Sequence, residues 1–155
     1  MSASHRLKSV EIDAATLPAP TAEIDHQRRV AIFDLVEQNS FIPEGAEGGP
    51  YALKLSSQDN RLAFDIVGPE FSRTHVLSLS PMKTVIRDYA LICESYYEAL
   101  RGSSPSQIES VDMGRRGLHN EGAELLKSRL EGKVELDQET ARRLFTLVCA
   151  LYRRG

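Results

Sequence analysis

At 155 residues, 41% hydrophobic and 26% charged, the chain has the size and composition of a single globular domain spanning 1–155, not of a disordered segment. Its formal net charge of −3 argues against a nucleic-acid module that works through a broad basic surface. No run approaches the roughly 20 apolar residues of a membrane span, and a domain of this size buries about 68–70% of its unfolded surface, enough for a core without disulfide or metal.

Residues Leu7 to Ile12 alternate and stop before Asp13, which predicts a short edge strand. Leu17-Pro18-Ala19-Pro20 continues neither helix nor strand, so 1–20 reads as a strand plus a stiff connector. Thr21 is a candidate N-cap for a helix to about Asn39 that buries Ile24, Ala31, Ile32, Leu35 and Val36. Val30 and Phe33 lie off that stripe and suggest cover on a second side. The glycine-rich stretch Pro43 to Pro50 is a loop. Three alternating runs follow: Tyr51/Leu53/Leu55, then Leu62/Phe64/Ile66 after a turn at Ser57 to Asn60, then Thr74 to Leu79, where either His75/Leu77/Leu79, the more apolar set, or Thr74/Val76/Ser78 faces the core. They predict an antiparallel meander with one buried face.

The second half predicts helices. Ser80-Pro81 looks like an N-cap with proline at the first helical position, opening a helix that buries Val85, Ile86, Tyr89, Ile92, Cys93, Tyr96 and Leu100 and ends at Gly102. Ser104 and Gln107 have capping-box spacing ahead of a helix to about Leu130. Gly132-Lys133 closes it, Val134 to Leu136 suits a short strand, and Asp137 caps a last helix burying Ala141, Leu144, Phe145, Val148, Cys149, Leu151 and Tyr152. The fold class is therefore α+β: a small antiparallel sheet packed against about four helices.

The chemically informative stretch is Asp112-Met113-Gly114-Arg115-Arg116-Gly117-Leu118-His119-Asn120-Glu121-Gly122. Each glycine inside a helix costs roughly 1 kcal/mol against alanine, so close approach of another helix or a break should compensate. Arg115 falls in the apolar arc, and a guanidinium there must find a carboxylate, a carbonyl array or a bound anion. One reading is a salt bridge to Glu94, Asp88 or Glu121. Another is an anion site in which Arg115 and Arg116 hold a phosphate or carboxylate, with His119, Asp112 and Glu121 beside it, and a third is a subunit contact. Gly45 to Gly49 lacks the Gly-Lys-Ser/Thr ending of a phosphate loop. No His/Asp/Glu pair has metal spacing, no Gly-x-Ser-x-Gly elbow occurs, and no cofactor is expected. His75 reads as a structural histidine and Tyr97 as the exposed member of the Tyr96-Tyr97 pair. In the basic cluster Arg142, Arg143, Arg153 and Arg154, the favourable field at a helix C-terminus explains Arg153 and Arg154, with nucleic-acid binding disfavoured.

The start of the chain carries no apolar signal region, and Cys93 and Cys149 lie in helical apolar patterns. The expectation is a cytoplasmic protein with two buried free thiols, a disulfide or a reactive thiol being the alternatives.

Blocks at 31–37, 49–51 and 92–97, the run from Pro105-Ser106-Gln107-Ile108-Glu109 through Met113 to Gly122, and Arg142-Arg143-Leu144-Phe145-Thr146 resemble an uncharacterised family of small bacterial proteins. The resemblance covers most of the chain and implies no activity, ligand or catalytic residue. The expected function is a small regulatory or interaction module without catalysis, pairing with itself as a homodimer or with another protein. An enzyme or small-anion sensor centred on Arg115 is the alternative. An occupied Arg115, already against a protein carboxylate, would favour the first; a pocket with Arg115 and His119 converging on space would favour the second.

Overall fold

The computed structural model describes residues 4–153. In chain order the elements are β1 (Leu7–Ile12), α1 (Ala22–Glu37), β2 (Phe41–Pro43), β3 (Tyr51–Gln58), β4 (Arg61–Gly68), β5 (Phe71–Ser78), α2 (Lys83–Gly102), α3 (Pro105–Leu130), β6 (Val134–Leu136) and α4 (Gln138–Tyr152). Short 3-10 turns precede α1, at Ala14–Thr16, and α2, at Ser80–Met82. The class is α+β, as the alternating and helical patterns require. Arg154, part of the C-terminal basic cluster, lies outside the described residues.

The meander is β3–β4–β5, with Leu53 opposite Ile66, Leu55 opposite Phe64 and Leu62 opposite Leu77 on the buried face. The β3–β4 turn is the two residues Asp59 and Asn60, both with positive φ (46° and 63°), as a hairpin whose twist matches its strands demands. Leu77 and Leu79 are buried and Val76 is exposed, so the His75/Leu77/Leu79 set faces inward. His75 is not the satisfied structural histidine expected, since its Nε2 is buried without a hydrogen-bond partner among the described residues. β1 is an edge strand as expected, but it runs parallel to β3, with Val10 beside Leu53 and Ile12 beside Leu55. Parallel neighbours need a long crossover, and α1 supplies it. β6 joins no meander strand; it pairs antiparallel with β2 as a separate two-stranded sheet.

Thr21 caps α1 by accepting from the Ile24 amide, and Ser104 with Gln107 forms the complete capping box of α3. Ser80 does not cap α2. Its residue belongs to the 3-10 turn, its amide donates to the Ser78 hydroxyl, and no side chain caps the helix. α4 lies at the centre of the helical layer, with Leu144, Phe145, Leu147, Val148 and Leu151 fully buried between α1 and α3. α2 packs chiefly along α3 and only lightly on α4. Its apolar stripe is therefore half covered: Val85 and Ala99 are buried, while Leu100, expected inside, is exposed. α1 is likewise open on one side. Val30 and Phe33 face outward and not against the expected second layer.

One buried residue ties α1 to α4. Arg28, 1% exposed, donates from Nε to the Ala150 carbonyl (3.1 Å) and from Nη2 to the carbonyls of Leu151 and Pro18 (2.9 Å each). The last carbonyls of a helix have no intrahelical donors; here an arginine from the neighbouring helix supplies them.

Candidate functional site

α3 runs unbroken through its three glycines because two of them sit where other helices come close. A Cβ on Gly114 would lie 2.7 Å from the Ile92 Cδ1 of α2, and one on Gly122 would lie 2.1 Å from the Phe145 Cζ of α4. Gly117 faces open space. The close approach brings the polar groups of α3 against α2 and α4.

Asp112 is the hub of this region. Arg115 Nε and Nη2 both reach its Oδ1, at 3.1 and 2.5 Å, and Arg116 Nε reaches its Oδ2 at 3.0 Å. The carboxylate expected against Arg115 is thus Asp112, one turn back on the same helix, and not Glu94, Asp88 or Glu121. The Arg115 guanidinium also lies 4.7 Å over the Tyr96 ring, a cation–π contact. Burial works against the charge on Arg115, but Asp112 and then Tyr89 outweigh it, so its pKa lies above the usual arginine value.

His119 is one turn further on and turns to α4. Its Nε2 is 2.7 Å from the Thr146 hydroxyl, which donates its own proton to the Arg142 carbonyl at 3.1 Å. With its proton on the Arg142 carbonyl, Thr146 accepts from a His119 that is protonated on Nε2; the other tautomer of His119 accepts from Thr146 instead. The ring packs against Tyr89 and Phe145, with centroids 5.3 and 5.8 Å away. Burial first, then Arg142, holds its pKa below the usual histidine value, with Glu139 opposing in part. Glu121 is exposed, and among the described residues it forms no ion pair. The geometry brings Asp112, Arg115 and Arg116 together, sets His119 against aromatic rings, and leaves Glu121 apart.

The match to known proteins covers the same stretch. The model of the Uncharacterised protein family (UPF0262) matches residues 4–154. The chain belongs to this family. Its relatives include UPF0262 proteins of Caulobacter vibrioides, 60% identical over 153 residues (99% of this chain and 96% of the relative), and of Phenylobacterium zucineum, 59% identical over 151 residues (97% and 95%). The UPF0262 protein of Rhizobium etli is 55% identical over 152 residues (97% and 96%). No solved structure matches.

The UPF0262 name brings no activity, so the open surfaces of the molecule matter most. Two clefts flank α2, and neither is lined by Asp112, Arg115, Arg116, His119 or Glu121. The first, about 380 Å³, has α1 and α2 as walls and α4 as floor, with Val30, Asp34, Cys93, Tyr97, Thr146 and Arg153 on its lining. The second, about 660 Å³, lies between the start of α2, the end of α4 and the β3–β4 turn. Ala90, Cys149 and Arg153 border both. Cys93 and Cys149 are free thiols, half-buried and not fully buried as expected, and burial raises the pKa of Cys149. The signal for these clefts was present in the sequence: Ile86, Ala90, Cys93 and Tyr97 make a stripe at i, i+4, i+7 and i+11. Only the packing reveals that the stripe lines open clefts. No helix of the described residues is long and apolar enough to cross a membrane, and no group of three or more His, Cys, Asp or Glu among them could hold a metal ion.

Proposed function

We propose that this UPF0262 protein is a non-catalytic, self-associating interaction module of the cytoplasm, two copies of which meet across the cleft between α1 and α2. One observation carries the reading: Val30 and Tyr97, on opposite walls of this cleft, stand 44% and 56% exposed, and Phe33 and Leu100, on the same two helices but outside its lining, stand 65% and 52% exposed. Large apolar side chains grouped on one surface mark contact sites far more than scattered single ones do.

The charges make a second copy the fitting occupant. α1 and α4 run antiparallel, because Arg28 of α1 meets the end of α4 while Arg143 of α4 donates to the Gln38 carbonyl just beyond α1. The cleft thus carries Arg153 at one end, beside Gln27, and Asp34 at the other, with Glu37 a turn further. A two-fold axis across the cleft sets the acidic end of each copy against the basic end of the other, with the apolar side chains between them. An anion site at Arg115 would first have to displace Asp112 from two guanidinium groups; that cost favours the structural role for this arginine.

Sedimentation velocity on wild type, Phe33→Glu and Tyr97→Glu tests the proposal. Wild type should sediment at twice the 17.2 kDa chain mass, and both variants, folded by circular dichroism, as monomers. A wild type that stays monomeric at high micromolar concentration overturns it.

A further inference from the structure

The larger cleft, which shares Ala90, Cys149 and Arg153 with the α1–α2 cleft, carries the makings of a small-molecule site. At about 660 Å³ it falls within the roughly 300–1,000 Å³ of ordinary ligand pockets. Its interior is apolar where Leu79, Ile86 and Ala90 face it, and Tyr152, whose hydroxyl donates to the Ser57 hydroxyl at 3.0 Å, closes one side.

The charge is one-sided. Lys83, Arg87 and Arg153 line the cleft against one lining carboxylate, Glu94. Among the described residues Lys83 has no ion pair, and Arg87 has only a loose one to Asp88 at 3.7 Å, outside the lining. Lys83 is also placed against the helix field: it is the first residue of α2, in the turn where the helix end is positive and a cation is disfavoured, while Arg87 stands one turn further on along the same face. No acidic residue stands in the first turn and no side chain caps it. Two cations one turn apart, the first at a positive helix end, beside an apolar cavity favour an anion that brings an apolar body with it.

We infer that this cleft binds a small amphiphile, an anionic head of carboxylate or phosphate on an apolar chain, with the head at Lys83 and Arg87 and the chain along Ile86, Ala90 and Leu79. Arg153, just beyond α4, adds a third positive charge to the lining. Glu94, at the far end of the same α2 face, keeps a second anion out.

The test is NMR titration of the full chain with sodium octanoate, with octyl phosphate and with neutral octan-1-ol. Either anionic probe should shift the amides of Ser57, Lys83 and Ala90, at least tenfold more tightly than octan-1-ol, and the two anions together show which head the cleft prefers. Lys83→Ala with Arg87→Ala, both at exposed positions, should weaken the anions by tenfold or more and leave the alcohol unchanged. No amide shift up to millimolar probe overturns the inference. So does alcohol binding as tight as the anions, or anion binding that survives the double variant. Because neither substituted residue lines the α1–α2 cleft, sedimentation of the double variant should match wild type, and failure here leaves the dimer proposal standing.

Discussion

Replacing Gly122 by alanine should destabilise the protein, whereas the same change at Gly117, in the same helix, should stabilise it. Alanine in a helix interior is favoured over glycine by roughly 0.5–1 kcal/mol, and at Gly117 nothing lies within 4 Å of the new methyl to offset that gain. At Gly122 the methyl would lie 2.1 Å from Phe145 Cζ and 2.4 Å from both Cε atoms, so the ring must retreat by more than an ångström. Phe145 is fully buried and packed against Tyr89 and His119, with no open side to move into. Overpacking of this kind costs about 1–3 kcal/mol, which leaves a net loss of up to about 2.5 kcal/mol. Gly114 should be nearly neutral, because the atom in the way is the terminal methyl of Ile92, which can rotate aside. Thermal melts of the three variants read the order directly, at about 2–4 °C per kcal/mol for a chain of this length. A Gly122→Ala that melts as high as Gly117→Ala would refute the close-packing explanation of the glycines.

Arg28→Met should cost about 3 kcal/mol or more in urea denaturation, since it strips three buried or part-buried carbonyls of a charged donor; a loss below about 1 kcal/mol would mean water replaces the guanidinium. Asp112→Ala should cost about 1–2 kcal/mol by leaving the half-buried Arg115 without its carboxylate, and an unchanged melting temperature would contradict the structural role of the pair. Stability should also fall in mild acid. Burial, then Arg142, lowers the His119 pKa, and burial, then Arg73 and Lys133, lowers that of His75. Both side chains therefore fold neutral, so their contribution is complete above the unfolded value of about 6.5 and is lost as pH falls from there toward the folded values. His119→Gln and His75→Gln should each flatten the pH dependence of the melting temperature below neutrality.

The features legible in the sequence are those whose causes are local. Ser104 and Gln107 cap α3 with atoms three residues apart, and the alternation of Leu53, Leu55, Leu62, Phe64 and Ile66 sets the sheet's buried face. What escaped depends on partners distant in sequence. Arg28 looks like a surface arginine until α4 brings the Ala150 and Leu151 carbonyls to it across 122 and 123 residues. The alternation of β1 is equally consistent with either strand direction, so its parallel pairing with β3 follows only from the α1 crossover. At Arg115 the need for a counter-charge was legible but its source was not: Asp112 sits three residues back on the same helix, where an ion pair closes without any tertiary contact. The apolar stripe of α2 predicts burial, yet stripes record what a helix can bury and not what covers it. Tyr97 and Leu100 are exposed because α2 leans on α3 and leaves its α1-facing side open.

The most direct measurement is sedimentation equilibrium on a charge exchange across the proposed two-fold: Asp34→Arg, Arg153→Asp and the two together. In a dimer that sets Asp34 of one copy against Arg153 of the other, each single exchange shifts the equilibrium toward monomer and the double exchange restores it toward the wild-type constant. A wild type that is monomeric throughout, or a double variant no tighter than either single one, would contradict pairing across this cleft.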